Sequence, residues 1–295
     1  MKAVDKKYNF LRPMRTPNLV RLGRAADGGY VVDSEIVKKC NTLITFGLGP
    51  DWSFELDYIK KNKNLKIYLY DHTTNSWNFY FPYIKEILKY FRRFLTFRAT
   101  YETISTRIKY LYNYKKFLNL KNVNFFKEKI TNTTENKKLP ESNIEAPDVR
   151  GIGAHVKPDV ETDLDKVFSR INNQEEEVVL KIDIEGSEYE IIDQILKYSN
   201  RIRMLIIEFH WLDKKEEIFL ESIKKLKDCF EIIHIHGNNH YPKLDNGLPI
   251  ILEITLLNKK YTREKKVEYI NEFPIKGLDY PCNPYKEDLV FSFSS

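Results

Sequence analysis

Leu180-Lys181-Ile182-Asp183-Ile184-Glu185-Gly186-Ser187-Glu188-Tyr189-Glu190-Ile191-Ile192 is the stretch on which the reading of the fold turns. Its first residues extend Glu177-Val178-Val179 into a short apolar run of strand length. Gly186 supplies a turn, and beyond it apolar residues fall at helical spacing. A buried strand that ends in an acid, a glycine and a new helix is half of a parallel strand–helix–strand unit. Asp183 stands out on that strand. A charge there is costly unless it meets a ligand, a cation or a hydrogen-bond donor. Glu185 is placed to cap the following helix, a structural duty that competes with ligand binding.

Working outward, the same alternation covers most of the chain. Short apolar, β-branched runs at 42–47, 65–71, 122–128, 177–184, 203–209, 230–237 and 250–257 are predicted strands. Residues 51–61, 162–171, 187–199 and 214–228 carry helical spacing between them. This predicts an α/β fold with a mostly parallel sheet covered on both faces. Only a Pro/Gly/Asn-containing loop separates the last two runs, so those strands are expected to pair antiparallel. Residues 131–161 are polar and carry Pro and Gly, which predicts a long loop. No repeat and no linker divides residues 1–295, so a single domain is expected.

Composition narrows the setting. A chain of 295 residues with 42% apolar and 31% charged residues can bury a full core without staples. Cys40, Cys229 and Cys282 are odd in number and lack metal-ligand spacing, which argues for reduced thiols in a cytoplasmic protein. The first residues show no secretory pattern, and no apolar run approaches the roughly 18–20 residues of a membrane span.

The net charge of +6 is unevenly placed. Residues 77–126 hold 16 of the 40 aromatic residues and ten Lys/Arg against two acids, a local +8 that leaves the rest at −2. Ile84, Ile87, Leu88, Phe91 and Leu95 share one helical face, and Ile104, Ile108 and Leu111 suggest a second helix. Pro82 sits where it could start the first. Such a segment is either a solvated basic face over an aromatic core, or a lid or docking patch for an anionic polymer or a membrane surface.

Ligands of open α/β sheets bind beyond the carboxyl ends of the strands. Phe46-Gly47-Leu48-Gly49 ends the first strand, followed by Glu55 on a helix; two glycines let a ligand approach the backbone. Asp71-His72 ends the second, where an acid suits a ribose or serves as a turn residue. Glu208-Phe209-His210 ends the fifth, and His234-Ile235-His236-Gly237-Asn238-Asn239-His240 the sixth. With Asp183 and Glu208, those histidines, on strands expected to be adjacent, could build a metal site or supply a general base.

Together these residues resemble the FkbM family of S-adenosylmethionine-dependent methyltransferases. The resemblance rests on LKIDIEGSEYEII (180–192), supported by RLGRAADGGYVV (21–32), TFGLGPDWSFE (45–55), TDLDKVF (162–168), LIIEFHW (205–211), IHGNN (235–239) and LEIT (252–255). It covers roughly 19–73 and 120–257 and leaves out the aromatic, basic window. It implies a class I, Rossmann-like methyltransferase sheet of seven strands, the last antiparallel, with helices on both faces; the helical segment at 77–126 is then an insertion into it. S-adenosylmethionine would be the cofactor, held by Phe46, Gly47, Gly49, Glu55, Asp71, His72 and Asp183, with a divalent cation on Asp183 and Glu208 as an option. The acceptor would be a sugar hydroxyl, as in surface polysaccharide or glycan biosynthesis, met by Tyr30, Glu208, Asn238 and Asn239. Asp27, Gly28 and Tyr30 would close over the site. Where the family more often has Phe-Glu-Pro at the end of the second strand, this chain has Tyr-Asp-His.

O-methylation needs alignment, exclusion of water and a group to take the hydroxyl proton. Asp183, His210 and His236 are the expected catalytic residues, with one of the histidines as base. Two rivals stand beside this reading. The basic aromatic window suits single-stranded RNA and no amine-binding motif argues for it, while a binding protein on a methyltransferase fold would have no need of these carboxylates. No nucleic-acid partner is expected.

Overall fold

The computed structural model describes residues 3–74, 77–96, 101–132, 160–262 and 268–294. Its centre is a seven-stranded sheet: β1 (Thr42–Phe46), β2 (Lys66–Tyr70), β3 (Val123–Phe126), β4 (Val178–Ile182), β5 (Ile202–Phe209), β6 (Phe230–Gly237) and β7 (Leu252–Asn258). Their order is β6-β7-β5-β4-β1-β2-β3. Contacts from β5 through β3 are parallel, and β7 runs antiparallel between β5 and β6. This is the class I methyltransferase architecture. Each predicted strand forms within two residues of its expected limits.

One consequence differs from the reading of the sequence. β5 and β6 are not neighbours, because β7 separates them. His210 and His236 therefore do not come from neighbouring strands, and Glu253 of β7 stands between the strands that carry them.

The helices are α1 (Ser34–Lys39), α2 (Ser53–Lys61), α3 (Trp77–Leu95), α4 (Tyr101–Leu118), α5 (Leu164–Ser169), α6 (Ile192–Lys197) and α7 (Leu212–Cys229). They cover both faces because β1 and β4 are buried along their whole length, with side chains alternating between two cores. One core joins Val167, Ile195 and Ile223 to Ile44, Leu180 and Ile207. The other joins Val37, Phe54, Phe79 and Phe117 to Leu43, Val179 and Ile206. A short antiparallel hairpin, Leu19–Leu22 with Tyr30–Asp33, lies over the second face. All three cysteines are free.

The aromatic window forms the two expected helices, but with different limits. α3 begins at Trp77, so Pro82 lies inside it, and the last four residues of the window are strand β3. Its inner face is aromatic: Phe79 packs on Tyr114, Tyr83 stacks on Tyr110, and Trp52 meets Tyr110, Tyr114 and Phe117. Leu88, Phe91 and Leu95, expected to share one helical face, are 50–64% exposed, so that face is not packed on the core. Most of the polar stretch at 131–161 lies outside the described residues; at its ends Lys129–Ile130 pairs in parallel with Glu161–Thr162.

Candidate active site

At the carboxyl edge of β1 the chain turns through Gly47 and Gly49, both with positive φ (76° and 61°). At Gly47 a Cβ would lie 1.7 Å from the carbonyl oxygen of Asp183, so only glycine lets β1 and β4 approach there. Gly49 faces open space. Asp71 holds this turn. Its Oδ2 accepts from the Gly49 N–H at 2.9 Å, and its Oδ1 accepts from Thr73 N, Thr73 Oγ1 and Thr74 N. Four bonds fill most of its capacity, leaving one lone pair on Oδ2 for a ligand hydroxyl. His72 is half-buried beside it, and burial pulls its pKa down.

Two expected cofactor contacts turn inward. The Phe46 ring is fully buried against Tyr70, so only its backbone can meet a ligand. Glu55 is also wholly buried; it accepts from Thr45 Oγ1 at 3.0 Å and faces Lys181 Nζ at 3.5 Å. Lys181 in turn lies over the rings of Tyr30 and Phe54. This ion pair braces the floor under the turn.

The period of two along a strand puts Lys181 and Asp183 on one face. The register aligns Glu208 with Glu253 and Glu253 with His236, so carboxylates from β4, β5 and β7 and an imidazole from β6 line up along the same edge. Tyr30, at the start of its hairpin strand, covers them. Its hydroxyl donates to Asp183 Oδ2 at 3.2 Å and lies 3.5 Å from Glu208 Oε2. Burial and these carboxylates hold the tyrosine pKa well up. Glu208 is buried and accepts from Asn238 Nδ2 at 2.9 Å; desolvation first, then Asp183, pushes its pKa well up. Asp183 is the more open of the two, with a quarter of its side chain exposed.

His210 approaches from the end of β5. Its Nε2 lies 3.8 Å from Asp183 and 3.4 Å from Glu185, and its Nδ1 lies 3.4 Å from Glu188. Burial works against the charged ring, but Glu188, Glu208 and Glu185 outweigh it and hold the pKa well above the usual value. These neighbours favour the charged ring, which weighs against His210 as a neutral base. Glu185 also departs from its expected capping duty. It takes a left-handed φ of 55° and points toward His210, while Glu188 accepts the N–H groups of Gly186 and His210.

His236 is corrected more sharply. Its Nδ1 meets Glu253 at 3.1 Å and its Nε2 meets Asp288 at 3.2 Å. Burial lowers its pKa, but the two carboxylates win and raise it to about 10. With both nitrogens held and the ring protonated, His236 is a buried counter-charge and has no lone pair for catalysis. Asn239, expected at the substrate, is likewise buried; it donates to the carbonyls of Asn283, Lys286 and Glu287 and accepts from Asn283 N. Asp27 and Gly28 do lie near the rim: Asp27 is 4.0 Å from His240, and its N–H donates to Cys282 O.

The C-terminal segment was absent from the sequence reading of the site. Asp279 faces His234 at 2.9 Å, Asp288 faces His236, and the Cys282 thiol lies 3.5 Å from Glu253. Only the row of acids after residue 277 hinted at counter-charges for the histidines. As for a cation, Asp183, Glu185 and His210 offer ligand atoms within 4.8 Å of one another, whereas Glu208 is engaged by Asn238 and Tyr30. His236, Glu253 and Cys282 form a second such group, wholly buried, and the expected Asp183–Glu208 pair belongs to neither.

Comparison with known proteins agrees with the architecture. A model of the methyltransferase FkbM domain matches residues 16–233, most of the chain. A search of curated proteins found no match. Among solved structures the chain is similar to one in a fibrillarin/Nop5p complex (10% identity, TM-score 0.36, 77% of this chain and 79% of that one). It is also similar to precorrin-6y C5,15-methyltransferase from Geobacter metallireducens GS-15 (13% identity, TM-score 0.33, 77% and 86%). A third is the Methanococcus jannaschii fibrillarin pre-rRNA processing protein (8% identity, TM-score 0.32, 76% and 68%). Likeness this loose decides nothing about the substrate.

Proposed function

We propose a specific activity for a chain that belongs to the FkbM methyltransferase family: S-adenosylmethionine-dependent O-methylation of a sugar hydroxyl, as in surface polysaccharide or glycan assembly. The observation that carries it is the half-open Asp183 carboxylate, set between Tyr30 and His210 beside the Gly47–Gly49 turn.

The turn, Asp71 and the backbone of Phe46 fit the cofactor. The missing Cβ of Gly49 leaves room for it, Asp71 retains a lone pair, and the acid-rich rim suits a sulfonium cation. When bound, S-adenosylmethionine supplies a methyl group on a strong leaving group. The protein must then orient the acceptor and receive one proton. Asp183 accepts a hydrogen bond from the acceptor hydroxyl and takes its proton as the new bond forms. Tyr30 fixes the carboxylate by donating to Oδ2. His210 Nε2 faces the other carboxylate oxygen, Oδ1, at 3.8 Å, so both oxygens of Asp183 have a neighbour that fixes their direction. The buried hairpin face above them limits water.

A pH–rate profile separates this from a histidine base. With Asp183 as base, turnover does not climb as the histidine ring loses its proton; a rise above about pH 6.5, the ordinary histidine pKa, that is lost in His210→Gln would assign the base to His210. Labelled methyl transfer into sugar acceptors and into RNA, side by side, tests the acceptor class. Transfer into RNA alone would overturn the sugar reading. Absence of calorimetric heat with millimolar-range S-adenosylmethionine would point to a binding protein on this fold.

A further inference from the structure

Every aromatic stack described for the insertion lies on the inner side of α3; its outer side is a different surface. Phe81, Ile84, Leu88, Phe91 and Leu95 recur every three or four residues and so form one stripe along the helix. Four of them are 41–64% exposed, with Phe94 at 41% and, on α4, Ile108 and Tyr112 also open. Lys85 and Arg92 border the stripe along one side, with Lys89 further round on that side. Glu86, the one acid on α3, is engaged with Arg107 of α4 at 3.1 Å. Among the described residues, no helix is long and apolar enough to cross a membrane.

We infer that the outer face of α3 docks the protein on an anionic lipid surface, lying in the plane of the headgroups. Two properties must be met at once. The cations call for a polyanion, and Leu88, Leu95 and the phenyl rings call for an apolar phase. A bilayer carrying acidic headgroups offers both. A nucleic acid satisfies the cations and the rings but leaves the aliphatic side chains in water. A second copy satisfies the stripe but sets like charges against each other. A helix of this length spans about 28 Å, enough for five consecutive anchors along one side. The inference is independent of the acceptor proposed above, and binding is measured without cofactor or acceptor.

The test is sedimentation of the full chain with vesicles of phosphatidylcholine alone or with about one third phosphatidylglycerol. The chain is expected to bind the acidic vesicles at least tenfold better, with binding that weakens as salt rises. Leu88→Ser with Phe91→Ser and Leu95→Ser should abolish it, and Lys89→Gln with Arg92→Gln should weaken it about tenfold. Calorimetry with S-adenosylmethionine, compared with the unaltered chain, and circular dichroism show that each variant is folded. Equal binding to both vesicles, or none, overturns the inference. So does a dimer in solution that the triple variant dissolves, or RNA binding through the same residues that exceeds vesicle binding.

Discussion

The carboxyl rim of the sheet and the outer face of α3 handle charge in opposite ways. At the rim, Glu208, His210 and His236 are buried, and neighbours from other elements hold each one. On α3 the cations stand in solvent and the apolar side chains between them are exposed. Burial strengthens every interaction at the rim and makes each partner costly to lose. Exposure makes single residues on α3 cheap to replace, so that surface acts only as a sum. The proposed chemistry belongs to the first arrangement and the proposed adhesion to the second.

The contrast can be broken by substitution. The largest effect is expected for Asp183→Asn, which keeps the shape but removes the proton acceptor. Turnover should fall about a thousandfold while cofactor affinity, read by calorimetry, moves by only a fewfold. A fall in affinity to match would make Asp183 a cofactor ligand alone.

His236→Gln tests the rim as a structural network. It strands two buried carboxylates and should cost about 3–5 kcal/mol near neutral pH. The sign with pH follows from the raised value. The folded ring titrates at about 10 against 6.5 when free, so its stabilisation is whole below pH 6.5 and is lost as pH climbs through 10. Melting curves of the two proteins should therefore converge toward alkaline pH. A gap that stays constant there would remove the charge from the explanation.

Tyr30→Phe is gentler. It removes one donor to Asp183 and should lower turnover about tenfold, measured as initial rate at saturating acceptor, with the melting temperature little changed. Smallest of all is the effect of Leu88→Ser on the isolated protein, within about 0.5 kcal/mol by denaturant titration. A large loss there would mean that this side chain has a partner inside the molecule.

Much of this was legible beforehand. The seven strands and the helices between them follow from periodicity, because the central strands are buried on both faces and read as unbroken apolar runs. Asp183 and Glu208 drew notice by their places at strand ends, and Tyr30 through the resemblance to the FkbM family. Periodicity also located the stripe on α3, but a stripe does not say what covers it; here the ring-rich opposite side won the core. The duties of His236 and Asn239 were misread for a different reason. Their partners lie in the irregular segment after residue 277, which has no period to follow, and they meet only through contacts about 40 to 50 residues apart. The place of β7 between β5 and β6 had the same cause, since pairing order is set by long-range packing.

The link from His236 to Asp288 also orders events in time. Asp288 leaves the ribosome long after Tyr30, Asp183 and Glu208 have been made, and Val4 waits still longer for its hydrogen bond to Ser292. Until then the nascent sheet carries an imidazole with half its counter-charge and an edge strand without its clamp. The segment around Asp288 thus acts as a late latch on a rim whose other members are already in place.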